Sequence, residues 1–410
     1  MDLGRGYGHL TYSTLVHPGD TWDEMRSSLE TYLPEVKRRF SPDAPMGVSL
    51  RLSGASVDRL RDDVAERARV REFLDRADLY VYTINAFPYG PFKGVRVKEQ
   101  VYEPDWSTEQ RTRYTMDIAD ILVDITPDSV EPSIQTAPLA FRDNVVDATY
   151  VDRFTDNILR VVAHLMTLEQ RTGRRVKLAL EPEPPCYLET IPETVTWFTT
   201  RIYTRPAAER VAELSGQPLA EVFGGLRRHL GVVFDICHQS VQFEDITDDL
   251  DRLVDAGIPI YKLQEAAALQ VADVTPETIE ELRRYTGTIY LSQTTERRNG
   301  ELTRFLNLED AIAAWDAEDQ PGRREWRTHF HVPVFLQDLG PFQTTRSGID
   351  AALAVHARTP LSTHLEIETY TWDVLPEHLK GADVTEYVVR ELEYVRDELE
   401  RQAKAHMADV

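Results

Sequence analysis

Acidic, amide and imidazole side chains follow short apolar runs at several points in this chain of 410 residues. The stretch GVVFDICHQ changes from an apolar run to Asp235 and His238, and LALEPEP does the same with Glu181 and Glu183. A strand core has no use for such groups. Their types therefore indicate chemistry at the strand ends, either cation binding or proton transfer.

Three later runs repeat this pattern. The residues concerned are Lys262 and Gln264 in YKLQ, His329 and His331 in THFHV, and Glu366 and Glu368 in HLEIETYT. The members of each pair are two positions apart, which places both on one face of a strand. Any one of these residues taken alone is more often a helix cap or a hydrogen-bonded core group than a ligand, so the prediction depends on their joint occurrence.

Carboxylates that converge on one point repel each other and raise each other's pKa unless a cation neutralises them. A set rich in oxygen and nitrogen donors, with no thiolate, suits a divalent ion such as Mn²⁺, Mg²⁺ or Zn²⁺. We therefore expect Asp235 to be a metal ligand and His238 to be either a second ligand or a substrate contact. Cys237, between them, is interpreted as apolar filling of the interior.

The elements that would position these residues alternate between apolar runs and amphipathic helical stretches, which predicts parallel strands with crossover helices. Eight such runs predict a (β/α)₈ TIM barrel, whose chemistry lies at the carboxyl ends of the strands. The runs cover residues 9–17, 46–52, 79–87, 176–184, 230–238, 258–264, 328–335 and 363–371. A doubly wound sheet is the alternative, but its glycine-rich turn is missing.

Two further strand-like runs, 132–138 and 287–296, exceed the count of eight, and we interpret them as short strands or hairpins in long loops. The polar stretch 297–327 is predicted to be an insertion outside the barrel. With no long linker and no internal repeat, residues 1–410 are predicted to form a single domain.

The composition excludes several classes of protein. A net charge of −23 argues against nucleic-acid binding, and no apolar run reaches the roughly 18–20 residues that cross a bilayer. Two cysteines exclude a disulfide framework and favour a reducing compartment. The N-terminal sequence MDLGRGYGHL lacks the features of a signal peptide. We therefore expect a cytoplasmic protein, and the sequence leaves open a homo-oligomer.

The first three runs end in polar residues that could bind a substrate: His17, Arg51 and Asn85. Arg51 could bind a carboxylate or phosphate, or could instead pair with a neighbouring acid. The segment 87–106 is long, aromatic and rich in turns, which favours a wall or lid over the site.

The order of these residues resembles that of the xylose isomerase-like TIM-barrel superfamily, which contains sugar isomerases, ketose epimerases and endonuclease IV-type repair enzymes. Within it, four phrases are similar to the EboE family of metabolite-traffic proteins: NAFPYGPFKG, VKEQVYEPDW, HFHVPVF and HLEIETYTWDVLP. The resemblance covers most of the chain and implies a xylose isomerase-like barrel with loop insertions.

The resemblance also implies a metal set of Glu181, Asp235, Gln264 and Glu368. The alternates are Glu183, His238, His331 and Glu366. Two departures from the superfamily matter. Gln264 stands where many relatives have histidine, and His329 begins a His-x-His where the repair enzymes have Asp-x-His, which puts a three-zinc nuclease site in doubt.

The function expected from this pattern is a metal-dependent isomerase or epimerase of a small polyhydroxylated carbonyl compound, a sugar or cyclitol. Glu181 and Glu368 would move protons on opposite walls of the barrel mouth, and Lys262 and His238 would polarise the substrate oxygen. The predicted substrate contacts are His17, Arg51, Asn85, Glu183, His329, His331 and Glu366. The alternatives are a non-catalytic metabolite carrier, a metal-dependent phosphoester hydrolase and a barrel that binds no metal.

Overall fold

A computed structural model of the chain describes residues 1–92, 94–317, 322–370 and 383–409. Within these residues, eight strands form one parallel sheet, and a bridge between Ser13 and Ser49 joins its two edges. The strands are β1 (His9–Tyr12), β2 (Met46–Arg51), β3 (Leu79–Asn85), β4 (Ser133–Thr136), β5 (Lys177–Leu180), β6 (Leu230–Asp235), β7 (Ile260–Glu265) and β14 (His364–Ile367). They pair in the order β1-β14-β7-β6-β5-β4-β3-β2, so the (β/α)₈ barrel predicted from the sequence is confirmed.

Helices surround the barrel because each buries one apolar stripe against the strands or against a neighbouring helix. The helix over Ala148–Thr172 repeats Val151, Phe154 and Ile158 on its buried face. It is followed by Gly173, whose φ of 72° suits glycine. The helices are α1 (Trp22–Phe40), α2 (Gly54–Asp62), α3 (Val64–Arg76), α4 (Glu109–Ile125), α5 (Ala148–Thr172), α6 (Ile191–Trp197), α7 (Arg205–Ser215), α8 (Leu219–His229), α9 (Ile236–Val241), α10 (Ile246–Asp255), α11 (Pro276–Leu282), α12 (Leu308–Ala317), α13 (Arg346–Arg358) and α14 (Val384–Asp409).

A second sheet is inserted between β7 and α13. Its strands are β8 (Ala267–Val271), β9 (Thr294–Arg298), β10 (Glu301–Phe305), β11 (Glu325–Val332), β12 (Asp338–Leu339) and β13 (Phe342–Thr344). They pair antiparallel in the order β10-β9-β11-β8-β13-β12. The segment 297–327, predicted as an insertion, contributes β10 and α12 to this region. The division of the chain into domains stays a prediction.

Two strand assignments made from the sequence are wrong. The run 132–138, predicted as part of a loop, provides the fourth barrel strand, and 328–335, predicted as the seventh, contributes instead to β11 of the second sheet. With only four residues, β4 was recognised as strand-like but not as a strand of the barrel. In β11 the alternation of polar and apolar residues is typical of an antiparallel strand, whereas parallel strands buried on both faces are more uniformly apolar.

No helix within the described ranges is long and apolar enough to cross a membrane.

Candidate metal centre

Four barrel strands bring together the carboxylate group, which we define as Glu181, Asp235, Gln264 and Glu368. Glu181 and Glu368 directly follow β5 and β14, while Asp235 and Gln264 lie in β6 and β7 and are paired in register. Carboxylate oxygens of Glu181, Asp235 and Glu368 lie within 4.8 Å of one another. Gln264 Nε2 donates a hydrogen bond to Glu368 Oε2. The structure thus gathers the residues that the resemblance implies as a metal set.

Burial makes this group electrostatically unfavourable without a counter-charge. All four side chains are buried. Burial raises the pKa of Glu181 to about 7, even though Gln135 donates a hydrogen bond to its carboxylate. Burial, followed by the nearby Glu181 carboxylate, raises the pKa of both Asp235 and Glu368 well above the usual range. Such a group either holds protons or gains strongly from a cation.

Two buried oxygens of the group accept no hydrogen bond from the described residues. Asp235 Oδ1 accepts from the backbone N–H of His238 at 2.9 Å, but Asp235 Oδ2 has no donor, and neither has Gln264 Oε1. A buried acceptor without a donor costs free energy, which a coordinated ion would offset. Three carboxylates and an amide oxygen suit Mg²⁺, Mn²⁺ or Zn²⁺. The residues present therefore fit a divalent ion.

Neighbouring amides orient the two glutamates. Asn85 Nδ2 donates to Glu368 Oε1 at 3.0 Å, and Gln135 Nε2 donates to Glu181 Oε2 at 2.6 Å. Asn85 was predicted as a substrate contact; it lines the cavity and also holds Glu368. The sequence prediction missed Gln135 because its strand, β4, had been interpreted as a short strand or hairpin in a long loop and not as a barrel strand.

Lys262 and Glu366 bind each other rather than facing the cavity. Lys262 Nζ lies 3.0 Å from Glu366 Oε2 and donates to Gln135 Oε1 at 2.7 Å, and both charged side chains are fully buried. They lie on β7 and β14 two residues before Gln264 and Glu368, one layer deeper in the barrel. The structure therefore does not bring them into the predicted catalytic and substrate-binding positions. Their contacts support the carboxylate group from below.

Next to the carboxylates lies the imidazole group, which we define as His238, His329 and His331. The Nε2 atom of His329 is 3.2 Å from that of His238 and 2.9 Å from that of His331. All three rings are buried, and burial lowers their pKa values, that of His331 to about 4. They are therefore neutral at pH 7.

Hydrogen bonds at Nδ1 assign the tautomer of each ring. His238 Nδ1 donates to the carbonyl of Pro182 at 3.1 Å, and His331 Nδ1 donates to the carbonyl of Glu368 at 2.5 Å. His329 Nδ1 donates to Gln293 Oε1 at 2.8 Å; the amide nitrogen of Gln293 is occupied in donating to a backbone carbonyl. A neutral imidazole has one N–H. Three Nε2 lone pairs therefore converge, an arrangement that a zinc-like cation would stabilise.

Other potential ligands surround the imidazoles. Asp235 can form a set with His238 and His331 as well as with the two glutamates, so it joins the two groups. Glu183 can join His238 and His329, and Cys237 can join His329 and His331. Cys237, interpreted from the sequence as apolar filling, packs in an apolar cluster with Val241, Ala266 and Ala268, and its sulfur also lies within 4.8 Å of a nitrogen of His329 and of His331.

Glu183, which the sequence predicts as a substrate contact, is one of the residues that line the cavity. Its Oε1 accepts from the hydroxyl of Tyr102 at 3.1 Å. Burial, followed by the charge of Glu181, raises the pKa of Glu183 well above its usual range. A protonated Glu183 could donate to a ligand oxygen.

His17 and Arg51 were also predicted to bind the substrate, but they do not line the cavity. The His17 ring stacks on Tyr32 with centroids 4.2 Å apart. Arg51 Nη1 lies 2.7 Å from Asp20 Oδ1, and its other contacts are backbone carbonyls. Arg51 therefore forms an ion pair with a neighbouring acid, which was the alternative interpretation from the sequence.

A cavity of about 50 Å³ opens above both groups. The segment 87–106 forms part of its wall, since Phe87, Phe92 and Tyr102 are among the lining residues. Trp106 is fully buried and donates to Thr136 instead. Tyr290, Gln293 and Tyr370 line the cavity but were not singled out from the sequence. A search for aromatic residues close to strand ends could have found Tyr370.

Comparisons with known proteins returned solved structures but no matching family model and no matching curated protein. A xylose isomerase-like TIM-barrel protein from Mycobacterium smegmatis in complex with magnesium is 11% identical with a TM-score of 0.49, covering 97% of this chain and 98% of that one. The IOLI protein with a bound zinc atom is 13% identical with a TM-score of 0.48, covering 96% and 99%. A D-tagatose 3-epimerase-like protein is 12% identical with a TM-score of 0.46, covering 97% and 99%.

Proposed function

We propose that the protein is a metal-dependent isomerase or epimerase that moves a proton on a carbon next to a carbonyl in a small hydroxylated compound of the sugar or cyclitol type. The observation that carries this proposal is the carboxylate group itself. It places three buried carboxylates, two of them lining the cavity, around one point where acceptor oxygens have no donor.

A bound divalent ion would supply Lewis-acid polarisation of the carbonyl and an adjacent hydroxyl. The chain's own residues supply the proton transfer. Glu181 and Glu368 both line the cavity, and their strands are three positions apart around the barrel. A buried carboxylate that lines the cavity can take a proton from the substrate carbon and return it. Gln135 and Asn85 hold the two carboxylates in place through the bonds described above.

Exchange of substrate C–H protons with D₂O tests the proposal. The metal-loaded protein is incubated with a panel of ketoses and inosose-like cyclitols, and deuterium incorporation is followed by NMR. Glu181→Gln and Glu368→Gln keep an oxygen that can coordinate but lose the base. Exchange should fall by about 10²–10⁴-fold while at least part of the metal is retained.

Glu265→Gln is the matched control, because Glu265 lies on the same level of β7 as Gln264 but on the opposite face of the strand and is also buried. It should exchange like the wild type. A metal-loaded protein that binds a panel compound yet never exchanges its protons would contradict the proposal and favour the carrier alternative.

The imidazole group favours a second candidate, a metal-dependent phosphoester hydrolase. Asp235 belongs to ligand sets of both groups, and paired ions about 3.5–4 Å apart are typical of phosphatases and nucleases. Hydrolysis of bis(4-nitrophenyl) phosphate by the zinc-loaded protein tests this candidate. His329→Gln should remove such hydrolysis but leave C–H exchange, whereas the reverse result would exclude hydrolysis at this centre.

A further inference from the structure

Two buried side-chain amides lie on adjacent barrel strands beside the carboxylate group. We define Asn85 and Gln135 as the amide pair. Asn85 ends β3, Gln135 lies in β4, and the two residues are paired in register. Both line the cavity, and their exposed fractions are only 2% and 1%.

The amide pair and the carboxylate group occupy different sides of the barrel mouth. The carboxylate group comes from the ends of four consecutive strands, β5, β6, β7 and β14. In the closed order of eight strands, β3 lies opposite β7 and β4 lies opposite β14. A ligand held at the carboxylate group therefore has the amide pair on its other side.

Neighbouring donors fix the orientation of both amides. Lys262 Nζ donates to Gln135 Oε1 at 2.7 Å, and because an ammonium cannot accept, the oxygen of Gln135 must face it. The backbone N–H of Phe87 donates to Asn85 Oδ1 at 3.1 Å and fixes Asn85 in the same way. Both amide oxygens are engaged, so each amide presents N–H groups to a ligand.

Each amide nitrogen carries two N–H groups, and one of them is already used. Gln135 Nε2 donates to Glu181 Oε2 at 2.6 Å, and Asn85 Nδ2 donates to Glu368 Oε1 at 3.0 Å. The second N–H of each amide has no acceptor among the residues that the structure describes. A buried donor without an acceptor costs free energy, which an oxygen of the ligand would offset.

The size of the cavity brings a ligand within reach of both sides. A volume of about 50 Å³ has room for roughly three to five water molecules. A ligand of a few non-hydrogen atoms that contacts the acids therefore also contacts the opposite wall. An oxygen that carries negative charge is attracted to N–H groups on that wall and repelled by carboxylates that no cation neutralises.

We propose that the amide pair is a two-donor site for one oxygen of the ligand and stabilises the negative charge that develops on this oxygen during proton transfer. The proposal rests on the proposed function and deepens it by assigning two further catalytic residues. When Glu181 takes the proton, the electron pair of the C–H bond forms a carbon–carbon double bond, and the carbonyl π pair moves to the oxygen. Asn85 and Gln135 donate to that oxygen, as the donors of an oxyanion hole do. Return of the proton to carbon reverses these shifts.

Acetohydroxamate tests the site because it is small, chelates zinc and presents an anionic oxygen. Its affinity for the zinc-loaded protein is measured by calorimetry in the wild type, Asn85→Leu and Gln135→Met, two variants that remove the N–H groups at similar side-chain size. Loss of a hydrogen bond to a charged oxygen should weaken binding about 10–100-fold in each variant. The zinc affinity of each variant is measured separately, so that loss of the ligand is distinguished from loss of the ion.

NMR of the assigned side-chain amides in the wild type provides a second measurement that does not depend on the folding of a variant. One N–H proton of Asn85 and one of Gln135 should move downfield when acetohydroxamate binds, because each forms a new charge-assisted hydrogen bond. In the D₂O exchange assay, each variant should lose about 10²–10³-fold in rate while it retains zinc.

Gln270→Met is the matched control. Gln270 Nε2 donates to Glu325 Oε1 at 2.7 Å, and neither residue lines the cavity. The control therefore loses the same kind of bond from an amide to a carboxylate, but away from the ligand. It should bind zinc and acetohydroxamate like the wild type and keep the exchange rate.

The outcomes separate this proposal from the proposed function. If both variants bind acetohydroxamate as tightly as the wild type and the amide protons do not move, the two-donor site is excluded and the metal centre stands. If acetohydroxamate affinity falls only as much as zinc affinity falls, the amides merely support the glutamates and the proposal is overturned. If neither zinc nor acetohydroxamate binds the wild type, the proposed function fails and the proposal fails with it.

Discussion

The carboxylate group and the imidazole group lie side by side but are built in different ways. The carboxylates come from the ends of parallel barrel strands and rest on the buried Lys262–Glu366 ion pair. Two of the imidazoles come from β11 of the inserted antiparallel sheet, the third comes from α9, and uncharged oxygens orient all three. The barrel thus supplies the negative charge and one imidazole, and the inserted sheet supplies the other two imidazoles.

The largest expected effect is that of Asp235→Ala, because Asp235 belongs to ligand sets of both groups. Divalent-ion binding should weaken at both, by more than the roughly 10–100-fold that loss of a supporting partner costs. Calorimetric titration with Zn²⁺ and Mn²⁺ measures it, with Glu265→Gln as the control. If the variant still binds a divalent ion as tightly as the wild type at either group, Asp235 does not serve as a ligand in both groups. The ion-free variant should remain folded, since removing one acid relieves repulsion among the others.

Lys262→Met should lower the free energy of unfolding, and of the two groups it should disturb only the carboxylate group. Removing one partner of a buried ion pair leaves Glu366 uncompensated, which typically costs about 3–5 kcal/mol in the free energy of unfolding. Urea denaturation measures the loss. The control is Lys177→Met, whose ion pair with the half-exposed Glu131 should contribute at most about 1 kcal/mol. Equal losses in the two variants would show that the deep pair has no special role.

Gln293→Leu should act on the imidazole side alone. It removes the acceptor that fixes the Nδ1–H of His329, and loss of such a partner typically weakens metal binding about 10–100-fold. Zinc affinity should fall for one ion while the ion at the carboxylates is unaffected. Gln270→Leu in β8 of the same sheet is the control, because its amide binds Glu325 away from the cavity. An unchanged zinc affinity would argue that the imidazoles hold no ion.

Glu391→Gln should change the pH dependence of stability and concerns the connection between the two groups. Glu391 Oε1 accepts from Val334 N at 3.2 Å and Thr369 Oγ1 at 2.7 Å, just beyond β11 and β14. Burial raises its pKa to about 8, above the unfolded value of about 4.3. The stabilisation is therefore complete below about pH 4.3 and is lost as the pH rises toward 8, at up to roughly 1.4 kcal/mol per pH unit.

Unfolding curves between pH 5 and pH 9 measure this dependence. The wild type should lose stability more steeply with rising pH than Glu391→Gln, whose side chain cannot ionise. Parallel slopes for the two proteins would mean that Glu391 is not protonated in the folded state.

How far the sequence predicts this structure depends on the strength of each local pattern. The run that ends in Asp235 is long, apolar and followed abruptly by polar groups, so both the strand and its functional end could be predicted. By contrast β4 has four residues, which left Gln135 and its bond to Glu181 unforeseen. The histidines of β11 were predicted near the site but on the wrong sheet, because local alternation does not reveal which strand will be the neighbour.

The sequence predicts that segment 87–106 forms a wall over the site, but not which residues of the cavity wall pack together. Leu15, Phe92 and Tyr290 meet only through tertiary packing, and each belongs to a loop or short turn whose path the sequence does not specify. Arg51 illustrates the same limit in the other direction. From its position at a strand end, Arg51 could equally be a site residue or a member of a structural ion pair. The nearby Asp20 makes it a member of an ion pair.

The hydrogen bonds of the centre have a consequence for the order of folding. Asn85 and Glu368 are 283 positions apart in the chain, Gln264 and Glu368 are 104 apart, and His238 and His329 are 91 apart. Contacts of such long range carry a large entropic cost of loop closure and form late. Because β14 must dock before Glu368 can join the other acids, a nascent chain acquires its ion-binding capacity only after β14 has been synthesised. Uptake of an ion would then stabilise a barrel that is already complete, rather than provide a nucleus around which the chain collapses.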